Sequence, residues 1–375
     1  MHVNASSKIG YPDPIPRNDI YRIFVCRPNH RLGNTILLTP LIAELERLYK
    51  GAEIDVVTEG DIALEVFSTY LSVKNIYCLP KRGFKHPISF LSMLFNIRKA
   101  HYDLIIDPCV GSNFSRTLTK FFKGTYKLGF NNPERSSDLT HWVPNSMAPG
   151  HMAVRPISLV RWHTSIDTLK STDFPPQDIR LTDVERAQGR SIIRELLSDS
   201  PEPCADVVIG IFANATGAKR YPKEWWSDFI AALKSAFPHC GIVEIIPMRG
   251  RSMLGSEWPG YYTTSIRRMG AAMAGVDLMI SADCGVMHLA VASKVPTVGL
   301  FSVTDATVYA PYGPGNMPLI TQGLSAAETA QGVAQAYSQL LGLRVDVSTA
   351  AQRGSTMTSA SNNLVTGTPH GALPC

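Results

Sequence analysis

The chain has 375 residues, of which 45% are hydrophobic, and this length suffices for two α/β domains of roughly 150 residues each. It contains no apolar run of about 18 residues, which excludes a spanning helix. Its first residues lack the apolar core of a signal peptide, so we expect a cytoplasmic protein. The seven cysteines are dispersed without a Cys-x-x-Cys pair, which argues against a disulfide framework and against a zinc site.

The N-terminal half alternates short apolar strands with helical stretches, a pattern typical of a parallel sheet. Residues 1–20 are predicted to be a flexible leader, and 21–200 a Rossmann-like domain that is irregular between Asn131 and Arg180. Pro40 predicts a kink or an irregular first turn in the first helix. The predicted strands are Arg22–Cys26, Ala52–Val57, Asn75–Leu79 and Tyr102–Asp107, and the predicted helices are Thr35–Tyr49, Ile88–His101 and Ile157–Thr164.

A second α/β unit is predicted to follow the polar linker at 198–203. It would form a C-terminal Rossmann-like domain over 201–342, so the fold class is α/β and doubly wound. Residues 343–375 contain few large apolar side chains, and we expect them to be disordered. The predicted elements of this unit are the strands Val207–Ile211, Val276–Ile280 and Pro296–Phe301, a helix after Pro222, a short helix at Leu289–Ala292 and a closing helix at Ala326–Leu341.

The turn at Gly285 is the most informative local feature. It lies between a predicted buried strand and a predicted helix, where free backbone N–H groups and the positive end of the helix dipole suit a diphosphate. Asp283 and His288 flank the turn, so chemistry as well as charge recognition is expected there. The alternative is an Asp-x-Gly turn that only shapes a loop.

A second candidate segment is the polar loop that follows the first strand of the second domain. Asn214, Thr216 and the Gly217 backbone would donate hydrogen bonds to phosphate oxygens, and Lys219 would neutralise the charge on a departing diphosphate. Both this loop and the Gly285 turn follow strands of one sheet, so they are predicted to emerge at the same edge. The alternative is a polar loop with one exposed lysine.

The third candidate is the loop from Arg27 to Asn34, which carries two arginines, a histidine and a glycine at the mouth of the first domain. His30 is the one side chain in this loop suited to general-base work near neutral pH. Two alternatives remain open. Either His30 and Arg31 bind an acceptor phosphate, or His30 is an ordinary exposed histidine.

The segment between Val66 and Pro133 is basic, because its only acids are Asp103 and Asp107. Such a surface favours a phosphorylated or membrane-bound anionic partner, and a solvated basic face is the alternative. Its basic residues are Lys74, Lys81, Arg82, Lys85, Arg98, Lys99, Arg116, Lys120, Lys123 and Lys127. Four apolar residues beside them either touch a membrane or form the core face of a helix: Phe90, Leu91, Leu94 and Phe95.

Four blocks of the sequence, in order, resemble glycosyltransferase family 9, the heptosyltransferase family of lipopolysaccharide core assembly. The blocks are 27–33 with the following helix through 39–41, 102–107, 216–222, and 283–290 continued by 296–298, 304–305 and 311–313. The last block is the most specific, because an Asp-x-Gly-x-x-His-Leu-Ala run is joined to a distant Pro-Tyr-Gly. The resemblance spans about residues 21–342.

The resemblance implies a GT-B fold, in which two Rossmann-like domains face a cleft. It implies that the N-terminal domain takes the acceptor, a phosphorylated glycolipid at the cytoplasmic face of the inner membrane, through Arg27, Arg31 and Gly33. The C-terminal domain would take a nucleotide sugar, ADP-heptose, without a metal or other cofactor. The donor-binding residues would be Asn214, Thr216, Gly217, Lys219, Asp283, Cys284, Gly285 and His288.

Asn34 departs from the family pattern, which has an aspartate directly after the glycine as the base that activates the acceptor hydroxyl. A neutral amide cannot take that proton. Either His30 or Asp107 acts instead, or Asn34 need only orient the acceptor, or the protein binds without catalysing. The intact donor residues favour retained catalysis, with His30, Asn34 and Lys219 as the catalytic residues.

The predicted function is therefore an inverting transfer of heptose onto lipopolysaccharide core or a related surface glycan. One alternative is another nucleotide sugar, used for a capsule or an O-chain, because the stretch at 245–250 has no clear acidic ribose ligand. A non-catalytic binding protein is the other alternative. A Rossmann oxidoreductase is disfavoured because the first loop lacks Gly-x-Gly-x-x-Gly, and no nucleic-acid partner is expected.

Overall fold

Two parallel six-stranded sheets organise the chain in a computed structural model. The structure describes residues 13–80, 87–131, 139–164, 171–198, 200, 205, 207–248 and 250–337. The predicted tail and most of the predicted leader lie outside these residues. The first sheet contains β1 (Arg22–Cys26), β2 (Glu53–Glu59), β3 (Val73–Leu79), β4 (His101–Asp107), β5 (Lys123–Asn131) and β6 (His141–Pro144). The second contains β7 (Val207–Phe212), β8 (Cys240–Ile246), β9 (Gly260–Tyr262), β10 (Leu278–Ala282), β11 (Thr297–Phe301) and β12 (Met317–Ile320).

Helices alternate with the strands along most of the chain. Those of the first half are α1 (Leu32–Ile36), α2 (Thr39–Leu48), α3 (Ile62–Val66), α4 (Pro87–Lys99), α5 (Asn113–Phe121) and α6 (Arg155–Trp162). Those that follow are α7 (Asp183–Ser198), α8 (Lys223–Ala236), α9 (Ile266–Met273), α10 (Gly285–Ala292), α11 (Ala306–Tyr309) and α12 (Ala326–Tyr337). Short 3₁₀ turns lie at Asn145–Met147 and Gly217–Lys219.

The two sheets share one strand order. It is β3-β2-β1-β4-β5-β6 in the first and, counted from the other edge, β9-β8-β7-β10-β11-β12 in the second. All neighbouring strands run parallel. The order reverses between β1 and β4 and between β7 and β10, and such switch points are where open α/β sheets bind ligands. The predicted α/β, doubly wound fold is confirmed.

The first predicted helix is divided into α1 and α2 around Leu37 and Leu38. Pro40 lies in the first turn of α2, where a missing N–H leaves no hydrogen bond unmade. The predicted irregularity is therefore confirmed. Gly285 also lies at the predicted strand-to-helix turn, but α10 begins there and not at Leu289.

Sequence analysis missed five strands, β5, β6, β8, β9 and β12, and the helices α7, α9 and α11. Most of these strands lie toward the edges of the sheets, where half-buried positions tolerate lysine, glycine and proline. The β5 segment alternates Lys123, Gly124, Lys127 and Gly129 with apolar residues, and β12 contains Pro318. Neither composition produces the continuous apolar run by which the central strands were recognised.

Alternate residues of the central strands point into two different cores. Phe24 and Cys26 pack toward α4 and α5, whereas Ile23 and Val25 join a larger core that continues into the second half of the chain. This division follows from the two-residue period of a strand. Helices α4 and α5 consequently cover the face of the first sheet opposite the core that the two halves share.

Helix α7 packs against the second half, although it precedes the predicted linker. Gly189 lies so close to the backbone of Ala271 that a Cβ there would collide with the Ala271 carbonyl. The Arg267 guanidinium forms an ion pair with Glu185 and holds the pKa of that carboxyl at about 2. The domain boundaries at 200 and 342 stay predictions.

Candidate active site

The second switch point brings the Lys219 loop and the Asp283 turn into contact. Strands β7 and β10 are direct neighbours, so the segments after Phe212 and Ala282 leave the sheet side by side. The Nζ atom of Lys219 lies 2.6 Å from Oδ2 of Asp283. Among the described residues of this loop, Lys219 is the one that forms an ion pair with the turn.

The remaining residues of the loop shape the approach to Lys219. Gly217 has a φ of 62°, a left-handed conformation that favours glycine. Thr216 and Gly217 are exposed and Asn214 is half-buried, so their polar groups border the solvent side of the switch point. The loop therefore presents backbone and side-chain polar groups beside one lysine.

Asp283 and His288 are both buried, at 5% and 3% exposure. Burial lowers the pKa of His288 to about 4, and the nearby His151 acts in the same direction, so the imidazole is neutral near pH 7. Its Nδ1 atom has no hydrogen-bond partner in the part of the chain that the structure describes. Buried polar atoms are normally paired, and this one is left for a ligand or a water molecule.

Helix α10 begins at Gly285 with Cys284 in extended conformation before it. The first backbone N–H groups of a helix have no partner within the helix and carry partial positive charge. With Lys219 alongside, the turn is suited to two negatively charged phosphate groups. Cys284 itself contacts Ser281, with 3.7 Å between Sγ and Oγ.

The starts of α1 and α10 touch each other through two glycines. A Cβ on Gly285 would lie 2.7 Å from the backbone nitrogen of Gly33, which is closer than real Cβ contacts. A Cβ on Gly33 would lie 3.1 Å from both the Cα of Gly285 and the Cδ2 of His288. The loop after β1 therefore lies directly against the turn after β10, and glycine is required at both positions by this approach.

Replacing Gly285 with alanine is expected to lower the free energy of unfolding by about 1–3 kcal/mol, as overpacking of a tight contact usually does. Gly150 is the matched control, because a Cβ there meets nothing within 4 Å. Urea unfolding of Gly285→Ala and Gly150→Ala measures the difference. Equal midpoints for the two variants would contradict a tight contact between α1 and α10.

The Arg27–Asn34 loop is held together by the side chain of Asn29. Its Oδ1 accepts hydrogen bonds from the Arg31 backbone at 2.9 Å and from Nδ2 of Asn34 at 3.0 Å. The amide nitrogen of Asn34 donates to Asn29. The side-chain carbonyl oxygen of Asn34 therefore points away from Asn29 and can accept a hydrogen bond from another group. Asn34 can thus receive a hydrogen bond from a hydroxyl, although it cannot take the proton.

His30 forms a pair with Glu59 that sequence analysis did not predict. The Nδ1 atom of His30 lies 3.0 Å from Oε2 of Glu59, which is the last residue of β2. A carboxylate that accepts the Nδ1 proton fixes the tautomer and leaves Nε2 as an unprotonated acceptor. His30 is about half exposed, so this nitrogen remains accessible.

Asp107, the alternative base, is engaged elsewhere. It is fully buried, and its Oδ1 accepts from the Ser115 hydroxyl at 2.6 Å and from the Cys109 backbone at 3.1 Å. Its Oδ2 accepts from Nε of Arg116 at 3.0 Å. A carboxylate with both oxygens bonded inside the core is not placed to take a substrate proton.

The positive charges of Arg27 and Arg155 act on each other at the mouth of the first sheet. Burial lowers the pKa of Arg155, and the positive charge of Arg27 acts in the same direction. Arg27 donates to Sγ of Cys109 at 3.0 Å, and Arg155 donates to the carbonyls of Pro149 and Gly150 at 2.9 Å. Neither guanidinium forms an ion pair with a carboxylate of the described residues, so the pair is suited to an anionic ligand.

The Pro-Tyr-Gly block of the second half contacts the segment before α6. The ring of Tyr312 stacks on His151 with 5.4 Å between ring centroids, and Nε2 of His151 lies 3.1 Å from the carbonyl oxygen of Ala310. The backbone N–H of Met152 donates to Val308 at 3.0 Å. These contacts join the two halves of the chain, as the Gly33–Gly285 contact does.

The profile of glycosyltransferase family 9 (heptosyltransferase) matches residues 263–333. This range contains the Asp283 turn, His288 and Tyr312. The resemblance to family 9 is confirmed. The prediction that the chain is a glycosyltransferase is confirmed by the same match, over residues 263–333.

Solved structures of family 9 proteins share the fold across most of the chain. A family 9 glycosyltransferase from Veillonella parvula is 18% identical, with a TM-score of 0.68, over 88% of this chain and 99% of that one. The Escherichia coli heptosyltransferase WaaC with ADP-2-deoxy-2-fluoro heptose is 18% identical, with a TM-score of 0.63, over 85% and 99%. The E. coli ADP-heptose lipopolysaccharide heptosyltransferase II is 19% identical, with a TM-score of 0.63, over 85% and 98%. These similarities confirm the GT-B fold, and a search of curated proteins found no match.

In the described part of the chain, no group of three or more His, Cys, Asp or Glu side chains is placed to hold a metal ion. Metal independence stays a prediction. None of the helices within the described ranges has the length and apolarity needed to cross a membrane.

Three site residues escaped sequence analysis: Glu59, His151 and Arg155. Glu59 lies two residues beyond the predicted strand Ala52–Val57 and belongs to no motif, and its role depends on the lateral pairing of β1 with β2. His151 and Arg155 lie in the stretch predicted to be irregular. Arginine in an otherwise apolar helix start was a weak signal, and the sequence alone does not place it beside Arg27.

Proposed function

We propose that this family 9 protein is an inverting glycosyltransferase that moves heptose from ADP-heptose onto lipopolysaccharide core or a related surface glycan. The observation that carries the proposal is the placement of the Lys219–Asp283 pair and the α10 N-terminus directly against the Arg27–Asn34 loop. A diphosphate site and an acceptor loop in contact across two sheets bring both substrates of a glycosyl transfer together. Both E. coli neighbours are heptosyltransferases, which supports heptose as the sugar.

On the donor side, the diphosphate would lie over the start of α10. The backbone N–H groups there and the Lys219 ammonium would neutralise the charge that develops as the nucleotide leaves. Asn214, Thr216 and Gly217 would complete the phosphate contacts from the loop, and Nδ1 of His288 would bind a donor oxygen or a water. These groups supply positive charge without a metal.

On the acceptor side, the guanidiniums of Arg27 and Arg155 would bind an anionic group of a phosphorylated glycolipid, with Arg31 at the rim. Two arginines without a carboxylate partner in the described ranges suit a phosphate, which accepts bidentate hydrogen bonds. The carbonyl oxygen of Asn34 would accept a hydrogen bond from the reacting hydroxyl. Gly33 would allow the acceptor loop to approach α10.

For the chemical step, His30 would act as the base in place of the missing aspartate. Its Nε2 would take the hydroxyl proton while Glu59 stabilises the resulting imidazolium through Nδ1. The acceptor oxygen would bond to the anomeric carbon from the face opposite the diphosphate, and the bond between that carbon and the diphosphate oxygen would break. A single displacement of this kind inverts the anomeric configuration.

The protein would work in the cytoplasm, in peripheral contact with the inner membrane that carries its acceptor. Asn34 supports a second candidate function, a protein that binds nucleotide sugar or glycan without transferring it. Such a protein would keep the donor-binding groups and would have an amide in place of the catalytic base. The two candidates predict the same donor binding and differ in turnover.

Nucleotide release by the purified protein tests the proposal. ADP-heptose and, in parallel, GDP-, UDP- and dTDP-sugars would be offered with and without a heptose-deficient lipopolysaccharide extract, and Lys219→Met would measure background hydrolysis. ADP release that requires the extract is the expected result. Release from another donor would assign a different glycan. Donor binding with no release from any donor would leave the binding protein.

A further inference from the structure

The outward face of α4 is apolar where a solvated helix would be polar. Ile88, Leu91 and Phe95 are 84%, 50% and 56% exposed, and their spacing of three and four residues puts them on one side of the helix. Leu94 and Ile97, on the other side, are buried against the sheet. Of the apolar residues that sequence analysis grouped together here, Leu94 therefore belongs to the core, whereas Leu91 and Phe95 face outward.

Helix α5 extends this surface and is fixed to α4 by aromatic contacts. The ring of Phe121 lies 5.8 Å from the ring of Phe95, and the guanidinium of Arg98 lies 4.5 Å above the Phe121 ring. Arg98 also donates a hydrogen bond to the carbonyl of Phe121. At the start of α5, Phe114 is 47% exposed. We call the four exposed residues Ile88, Leu91, Phe95 and Phe114, with the two helices that carry them, the α4–α5 face.

The charges around the α4–α5 face are positive. Lys99 and Lys120 are exposed in the last turns of α4 and α5, and Lys123 is exposed at the start of β5. Neither helix contains an acidic residue. The two nearby acids are both occupied. Asp103 accepts hydrogen bonds from the backbone of Tyr21 and Arg22, and Asp107 is buried against Arg116.

We propose that the α4–α5 face is a docking surface for an anionic lipid bilayer. Large apolar side chains that project from the helices, with lysines at the carboxyl ends of the same helices, match an interface where acyl chains lie under negatively charged headgroups. The face lies opposite the core shared by the two halves, so it is not covered by the rest of the described chain. An acidic protein partner would explain the lysines, but it would not explain why Ile88 and Phe95 are so exposed.

The orientation of the helices connects this face to the candidate active site. Helices that join parallel strands run opposite to them, so the first residues of α4 and α5 lie at the carboxyl edge of the first sheet. That edge also carries the Arg27–Asn34 loop. Docking would thus bring the Arg27–Asn34 loop near the bilayer surface. The acceptor role of this loop rests on the proposed function, whereas the docking proposal does not.

Co-sedimentation of the full chain with vesicles tests the proposal. The probes are vesicles of phosphatidylcholine alone and of phosphatidylcholine with phosphatidylglycerol, in low and high salt and without any donor. We expect binding to the anionic vesicles only, weakened by salt. The variant Leu91→Ser/Phe95→Ser is expected to bind at least about tenfold more weakly. Its matched control is Leu71→Ser, because Leu71 is 96% exposed on another part of the surface.

A charge-reversal pair separates the contribution of the lysines. Lys99→Glu/Lys123→Glu is expected to weaken binding to anionic vesicles, whereas Lys50→Glu, beyond the helix that covers the opposite face of the sheet, is not. Unchanged thermal unfolding of each variant shows that the fold is kept. Wild-type binding by Leu91→Ser/Phe95→Ser would overturn the proposal. The proposal would also be overturned if Leu91→Ser/Phe95→Ser lost self-association but still bound vesicles. In that case the face would pack against a second copy of the chain.

Failure of docking and failure of the proposed function give different results. Transfer to a detergent-dispersed acceptor by a protein that ignores vesicles would overturn docking alone. Vesicle binding by a protein that releases no nucleotide would support docking and count against the transferase. The docking variants are expected to keep wild-type transfer in detergent and to lose it with vesicle-bound acceptor.

Discussion

Replacing Lys219 with methionine is expected to lower kcat/KM for the nucleotide sugar by about 10²–10³-fold, the usual effect of removing one group aimed at a developing negative charge. The ammonium of Lys219 lies 2.6 Å from Asp283, at the switch point where the leaving diphosphate is proposed to sit. Methionine keeps the length of the side chain and removes the charge. Initial rates of nucleotide release at varied donor concentrations measure the effect.

The same change affects stability, and the two effects can be separated. Asp283 is 5% exposed, so removal of Lys219 leaves a buried carboxylate without its counterion. We expect the free energy of unfolding to fall by about 1–3 kcal/mol, less than for a fully buried pair because Lys219 is one-third exposed. The double variant Lys219→Met/Asp283→Asn is expected to recover stability and not activity.

Lys223 provides the matched control for Lys219. It lies four residues further along the same connection and forms an exposed ion pair with Glu257 at 3.1 Å, and such pairs contribute little. Lys223→Met is expected to stay within about twofold of wild type in kcat/KM. Equal losses in the two lysine variants would remove Lys219 from the proposed donor site.

The donor side of the candidate site could be predicted because its signals are local. An apolar strand followed by Asp283 and Gly285 identifies the end of a buried strand and the start of a helix from a few adjacent residues. Lys219 meets Asp283 because β7 and β10 are neighbours in a parallel sheet. In a doubly wound sheet, two such strands are adjacent at the point where the strand order reverses.

The acceptor side could not be predicted to the same depth because its contacts are lateral. Glu59 meets His30 only because β2 pairs with β1 in the register that aligns Cys26 with Val57. Arg155 reaches the neighbourhood of Arg27 from α6, which follows β6, a strand with no clear apolar pattern. The amide orientation of Asn34 depends on Asn29, five residues away, through a side-chain contact that no periodicity encodes.

Replacing His30 with alanine is expected to lower kcat by about 10²–10⁴-fold, the range for loss of a general base, with a smaller change in donor KM. His30 is proposed to take the proton because Asn34 cannot and Asp107 is bonded on both oxygens. Single-turnover transfer with saturating donor measures the chemical step. His239→Ala, at an exposed histidine after α8, is the control and is expected to be unchanged.

Glu59 is expected to act through His30, and a comparison in two backgrounds distinguishes this role from a structural one. Glu59→Gln in the wild-type chain is expected to lower kcat, because the imidazolium that forms on His30 loses its carboxylate partner. In the His30→Ala background, the same change is expected to have no further effect on kcat. Equal losses of kcat in the two backgrounds would make Glu59 a structural residue only.

Introducing a carboxylate at position 34 tests whether His30 has replaced the aspartate base or whether the native chain has no base. In the His30→Ala background, Asn34→Asp is expected to restore at least about tenfold of the lost rate, because it puts a proton acceptor beside the acceptor hydroxyl. Restoration is expected to be partial, since an aspartate lacks the N–H that Asn34 donates to Asn29. If Asn34→Asp raised the rate equally with His30 present, then His30 would not be the base and the native chain would lack one.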